Sequence, residues 1–403
     1  MATVVGHLSR AERAALTFTP SVAGIRGAPL ACYAAHGAQF TYPAFFKERA
    51  PAMPELGVAG EFAGALRDDQ SEVARRLLDI VRARGAALCT MPTGKGKTVV
   101  ALWIAAQLNT RTLVVVHRKS LKDQWAARIA AFCPRAAIDV AMVQSLSRHG
   151  TATEYGLVVY DEAHHMSART FCAVMLKVRA PHALGLSATP VRADGMHAAI
   201  WLFFGEPTAG VAGTDMRAEV VRRDVPDLGV VECRAFNRAM GRATVNSARL
   251  LSDLAACAAR TALVVASVAS LVREGRTVLV LSHRRAHCAV VAAALRESRD
   301  PSGPCMRVAV CIGGTAFAVG PDVQVVVGTT AAVAEGFDEP RLDTLVLATP
   351  MASVTQAVGR ILRQRNARSP LVVDFVDPLG TCLRQWARRR ADYARLGHAV
   401  RSE

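Results

Sequence analysis

Short apolar runs recur along most of the chain: residues 112–116, 156–160, 183–186, 277–281, 323–327, 344–347 and 371–375. They are rich in Val and Leu and do not alternate with polar positions. A strand of that kind is buried on both faces, as in a parallel sheet sandwiched by helices. Between them lie stretches such as 120–132 and 284–295, where Ala, Leu and charges return every three or four residues. That spacing predicts amphipathic helices, and the alternation predicts an α/β fold.

The runs fall into two groups. We expect an accessory region over 1–64, a first α/β domain over 65–215, a linker over 216–245, a second α/β domain over 246–380 and a basic tail over 381–403. The longest apolar stretches fall far short of the ~18 residues that a spanning helix needs. Arg10, Glu12 and Arg13 stand where a signal peptide would carry its apolar segment. The expectation is an intracellular protein with no membrane partner. Ten scattered cysteines without a C-x-x-C pair fit a reducing compartment.

Charge adds a partner. Across 403 residues, 49 Lys and Arg face 33 Asp and Glu, for a formal net charge of +16. A well-cored chain this basic points to a polyanion, nucleic acid above all.

The strongest local signal is Met91-Pro92-Thr93-Gly94-Lys95-Gly96-Lys97-Thr98, which follows an apolar run and opens a helical stretch. Such a turn cradles phosphate on backbone N–H groups and the positive end of a helix dipole. Lys97 suits the β- and γ-phosphates of ATP, and Thr98 a Mg²⁺ ion. Met91 stands where the usual pattern has Gly. Downstream, the run ending at Tyr160 leads into Asp161-Glu162-Ala163-His164. An Asp there can hold Mg²⁺, and the Glu can polarise an attacking water.

With these residues the chain resembles the superfamily 2 helicases and translocases. Leu66 to Gln70 looks like the adenine-reading entry motif, with Asp69 where an aromatic is frequent. Pro92 to Thr98 matches motif I. Val116 to Leu121 with Gln124-Trp125 matches motif Ia, and Val143 to Leu146 resembles motif Ic. Asp161 to His164 matches motif II in its DEAH form, and Leu186 to Pro190 motif III. Val280 to Arg284 resembles motif IV. Thr329 to Asp338 is similar to motif V, and Gln356 to Arg363 matches motif VI. The variants resemble the duplex-DNA-tracking branch, including enzymes of large DNA viruses. The 374–377 ending and compact size lean toward the viral members.

The resemblance implies two tandem RecA-like parallel-sheet domains with an ATP cleft between them, and an ATP- and Mg²⁺-dependent motor with DNA favoured over RNA. It implies that Lys97, Asp161, Glu162, Gln356, Arg360 and Arg363 are catalytic, with Arg360 and Arg363 as arginine fingers on one helical face. It assigns Gln70, Pro92, Thr93, Gly94, Lys95, Gly96, Lys97, Thr98, Gly336 and Asp338 to ATP, and Thr98 and Asp161 to Mg²⁺. His164, Ser187 and Thr189 would couple nucleotide state to the strand. Arg118, Lys119, Gln144, Ser145 and Thr329 would grip phosphates.

Weaker signals remain. Only eight residues separate Gly314 from Val323, which predicts a missing crossover helix. His283 and His287 sit at i, i+4, which reads as a strand-end pair and not as metal ligands, since a metal site needs further ligands. Trp386, Arg389, Arg390 and Tyr393 would share a helix face, equally suited to nucleic acid and to packing on the second domain.

Overall fold

The computed structural model describes residues 3–22, 25–26, 28–43, 60–92, 94–148, 154–164, 169–178, 180–188, 194–207, 216–237, 242–298, 305–313, 319–334, 339–362, 364 and 366–402. The chain divides into two compact units, Met1–Ala212 and Gly213–Glu403. Each holds one parallel sheet with helices on both faces, the α/β layering that the apolar runs predicted.

In the first unit the sheet order is Ile138–Met142, Thr112–Val116, Leu157–Tyr160, His182–Ser187, Ala86–Thr90. Every pairing is parallel. Successive side chains point to opposite faces, so the strands divide between two cores. Leu88, Leu113, Val115 and Tyr160 enter one core with the helices Arg169–Lys177 and His197–Phe204. Ala87, Cys89, Val114 and Val159 enter the other, against Asp68–Arg84, Lys97–Leu108 and Lys119–Phe132. The N-terminal residues form small antiparallel sheets, and Leu30 and Cys32 join the first of these cores.

The second sheet has seven strands: Val308–Cys311, Val325–Thr329, Val278–Ser282, Thr344–Leu347, Leu371–Val376, Glu219–Asp224, Ala399–Ser402. All are parallel. This corrects two expected boundaries. Glu219–Asp224 is a sheet strand inside the stretch read as a linker. Its apolar content is Val220 and Val221 between charges, too brief for a periodic signal. The tail supplies both the helix Gly380–Arg395 and the edge strand Ala399–Ser402.

Val308–Cys311 and Val325–Thr329 are parallel neighbours, and residues 312–324 make the crossover. Its described part carries no helix. Among the described residues no single helix is long and apolar enough to cross a membrane.

Candidate active site

Three adjacent strands bring the site together. Leu157–Tyr160, His182–Ser187 and Ala86–Thr90 run parallel, so their C-terminal ends share one edge of the sheet. Asp161 follows the first, Ser187 closes the second, and the glycine-rich loop follows the third. Gly94 and Gly96 take positive φ of 81° and 82°, a backbone region that glycine enters freely. Gly96 is the N-cap of the helix Lys97–Leu108. That helix therefore presents its first N–H groups and positive dipole end at the loop. Lys97 Nζ donates to Met91 O at 2.9 Å, which holds the ammonium over the loop. Met91 is fully buried in the core beneath. Its side chain points away from the cradle, so a non-glycine residue is accommodated there.

The preceding helix locks this loop. Gln70 Nε2 donates to Lys95 O at 2.9 Å, and Gln70 Oε1 accepts from Arg67 N at 3.1 Å. Arg67 Nη2 also donates to Lys95 O. Asp69, in the place of the frequent aromatic, pairs with Arg67 at 3.1 Å and Lys95 at 3.2 Å. Burial is the largest single influence and raises its carboxyl, but the hydrogen bonds and charges of Arg67 and Lys95 together outweigh it and hold Asp69 below the usual range. A Cβ on Gly96 would lie 2.2 Å from Gln70 Nε2, so another residue here would displace the Gln70 amide from the loop as well as strain φ.

Asp161 is buried. Its Oδ2 accepts from Trp125 Nε1 at 2.8 Å, and its Oδ1 from Glu162 N at 2.9 Å. Burial raises its carboxyl, as does the charge of Glu162; the Trp125 bond and the charge of Lys97 pull it back. Loop and carboxylate thus form one electrostatic unit. Two hard oxygen donors, the Asp161 carboxylate and the Thr98 hydroxyl, suit Mg²⁺. Glu162 has φ of +51°, a conformation that costs a residue with a Cβ about 1–2 kcal/mol. His164 Nδ1 lies 3.2 Å from Glu162 Oε2 and 3.1 Å from Ser187 Oγ. It therefore links the acidic motif to the next strand end.

The two remaining strand ends gather polar groups. Arg118 and Lys119 follow Thr112–Val116, while Gln144 and Ser145 follow Ile138–Met142, and all four are exposed. Gln144 Nε2 donates to His117 O at 3.1 Å, tying the two ends together. Thr329 differs. It is buried, and its Oγ1 accepts from Ala332 N at 3.3 Å, so its hydroxyl caps the helix Thr330–Ala334 instead of facing outward.

In the second unit, Gln356 and Arg360 line a cleft of about 280 Å³ with His283 and Ser353. The expected helical placement of Arg360 is corrected. Thr355–Val358 ends at the cap Gly359, and Arg360 lies in a turn. Thr93, Thr189, Gly336, Asp338 and Arg363 lie outside the described residues, as does Gly314. His283 and His287 diverge: His283 Nδ1 meets Thr349 Oγ1 at 2.9 Å, and His287 lies between Ser282 and Thr261. No group of metal ligands forms among the described residues.

Nothing in the sequence marks a role for Trp125 or Arg67 at the site. Trp125 was visible only as part of motif Ia, and nothing local announced its bond to a carboxylate thirty-six residues away.

The family described as Type III restriction enzyme, res subunit, matches residues 64–192. An inferred helicase of frog virus 3, 055L, is 30% identical over 373 residues, covering 86% of this chain and 82% of that protein. A mimivirus protein of Acanthamoeba polyphaga, L396, named as an inferred ATP-dependent RNA helicase, is 27% identical over 82% of this chain and 68% of its own length. The DNA 3'-5' translocase XPB2 of Sulfurisphaera tokodaii is 32% identical across 33% of this chain and 32% of its own. Among solved structures, a fragment of an inferred HsdR subunit of a type I restriction enzyme from Vibrio vulnificus superposes with a TM-score of 0.58. It is 18% identical and covers 85% of this chain and 69% of that one, a likeness of fold. With two parallel-sheet units, the ordered motif series and a viral helicase relative matched over most of both chains, this protein belongs to the superfamily 2 helicases and translocases, enzymes that hydrolyse ATP.

Proposed function

We propose that the chain hydrolyses Mg-ATP at the edge of its first sheet and uses the cycle to move along DNA and separate its strands. The observation that carries this reading is the shared sheet edge. There the Gly94–Gly96 loop, Lys97, Asp161 and Glu162 meet, with Lys97 and Asp161 in electrostatic contact.

Lys97 and the first N–H groups of its helix receive the β- and γ-phosphates. Thr98 and Asp161 are the residues that would hold Mg²⁺, which neutralises phosphate charge when bound. Glu162 orients and polarises the attacking water. Gln70, through its bonds to Lys95 and Arg67, keeps the loop in shape. Gln356, Arg360, Arg363, Gly336 and Asp338 are the second unit's nucleotide residues in this reading, the arginines answering charge on the γ-phosphate. His164, Ser187 and Thr189 relay nucleotide state. Arg118, Lys119, Gln144 and Ser145 take the strand's phosphates and read no sequence.

The motif variants support DNA as the track. A second reading, RNA as the track, is favoured by the printed name of the mimivirus relative. A third, translocation without strand separation, shares every residue above. The test is direct: Lys97→Ala should lose ATP binding, and Glu162→Gln should bind ATP without turnover. Full turnover in Glu162→Gln would refute the assignment. Forked-duplex unwinding against triplex displacement then separates the helicase from the bare translocase.

A further inference from the structure

Between the strand Glu219–Asp224 and the helix Ser247–Ala256, the second unit carries an antiparallel hairpin, Arg234–Asn237 with Arg242–Val245. Its base is anchored. Asn246 N donates to Cys233 O at 2.8 Å, and Val230, Val245 and Leu379 pack on Leu250, Leu254 and Cys382. Glu232 accepts from the backbone N–H of Thr381. Beyond that base the ribbon stands in solvent: Arg234, Ala235, Phe236, Arg242 and Ala243 are all exposed.

Phe236 is 68% exposed, and no other Phe, Tyr or Trp among the described residues is exposed. It faces Ala243 across the ladder, and Arg234 lies on the same side two residues away. The methyl of Ala243 leaves the ring uncovered. Arg242, opposite Asn237, belongs to the ribbon's other face. A phenyl ring left in water adds nothing to folding through burial. An uncovered ring with one guanidinium, Arg234, on its own face and a second, Arg242, on the ribbon's other face has the chemistry that single strands meet on non-specific binding surfaces: a base stacks on the ring and the cations take flanking phosphates.

We propose that this hairpin is a single-strand contact, with Phe236 stacking on an unpaired base and Arg234 and Arg242 holding its phosphates. Charge complementarity selects nucleic acid over a protein partner: Arg234 shares the ring's face, Arg242 adds positive charge on the other face, and the carboxylate of nearby Glu232 accepts from the backbone N–H of Thr381. The proposal rests on the nucleic-acid reading above and extends it to a segment outside the motif series.

Fluorescence anisotropy of labelled single-stranded DNA and RNA, over a salt series, tests it on the full chain. Phe236→Ala should weaken binding about ten-fold at every salt concentration, the loss of one stacked base. Phe236→Trp should bind as the wild type does. Arg234→Ala with Arg242→Ala should flatten the dependence of log affinity on log salt by about one to two. Basal ATPase should stay unchanged in all three. Wild-type affinity in Phe236→Ala, or equal losses in the Ala and Trp variants, would overturn the hairpin contact and leave the motor reading intact. A wild-type chain that binds neither strand would overturn the nucleic-acid reading itself.

Discussion

Trp125 Nε1 donates to Asp161 Oδ2 at 2.8 Å, with both side chains buried. The indole fixes the rotation of the carboxylate proposed to hold Mg²⁺; among the described residues it shares that carboxylate with one other donor, the backbone N–H of Glu162. Trp125→Phe keeps the bulk and deletes the donor. A hydrogen bond to a charged group contributes about 1.5–3 kcal/mol, so unfolding in urea should show a loss of that order. The Mg²⁺ concentration for half-maximal ATPase should rise in parallel, while labelled-ADP binding without metal stays close to wild type. An unchanged Mg²⁺ requirement would show that the carboxylate orients without the indole.

Glu162 occupies a left-handed conformation with φ of +51°. Backbone strain of this kind persists where surrounding structure enforces it, and it clusters at reacting sites. Glu162→Gly relieves the strain but adds unfolded-chain freedom of similar size. Glu162→Asn tolerates the left-handed region with less added freedom. We expect Glu162→Asn to match or exceed wild-type thermal stability while ATP turnover collapses. Calorimetry and a steady-state ATPase assay on the same preparation check both halves. A clearly lower melting temperature would contradict the strain argument.

The second unit is fastened by two buried bidentate pairs. Arg389 donates from Nε and Nη2 to Asp374 at 2.7 and 2.8 Å, with Tyr393 Oη also donating to Asp374. Arg260 grips Asp377 in the same way. Truncating one partner of such a pair leaves a buried charge uncompensated, at about 3–5 kcal/mol. Arg389→Ala should therefore unfold the second unit at much lower denaturant while barely changing nucleic acid affinity per folded molecule. Arg388→Ala, on an exposed neighbour, is the matched control and should be silent in stability.

His287 gives a pH signature. Burial, with the charge of Arg260 adding to it, lowers its pKa to about 4 from an ordinary value of 6.5. The unfolded chain takes up the proton near pH 6.5 and the folded chain only near 4. Its favourable contribution is whole above pH 6.5 and is lost as pH falls through 6.5 toward 4. From pH 7 to pH 5 the loss is roughly 2 kcal/mol by proton linkage. Urea unfolding at the two pH values, compared with His287→Gln, isolates it: the variant should show the smaller pH dependence.

The central strands were legible because burial on both faces leaves a continuous apolar run. Glu219–Asp224 and Ala399–Ser402 were not, since the first has two buried valines among charges and the second is an exposed edge. The phosphate loop and acidic motif were legible through residue type and order. The groups that brace them were not: Trp125 with Asp161, and Arg67 and Gln70 with Lys95, are contacts between elements distant in sequence. The same holds for the tail. Its aromatic and cationic face was equally suited to nucleic acid and to packing. Asp374, fifteen residues upstream, decides for packing by taking Arg389 and Tyr393 inside.

The most direct measurement is the ATPase rate of the full chain, alone and with single- and double-stranded DNA and RNA, beside Glu162→Gln. A motor of this kind should show a low basal rate, strong stimulation by nucleic acid with DNA ahead of RNA, and no turnover in Glu162→Gln under any condition. A wild-type rate indifferent to all four polymers, or a Glu162→Gln rate equal to wild type, would contradict it.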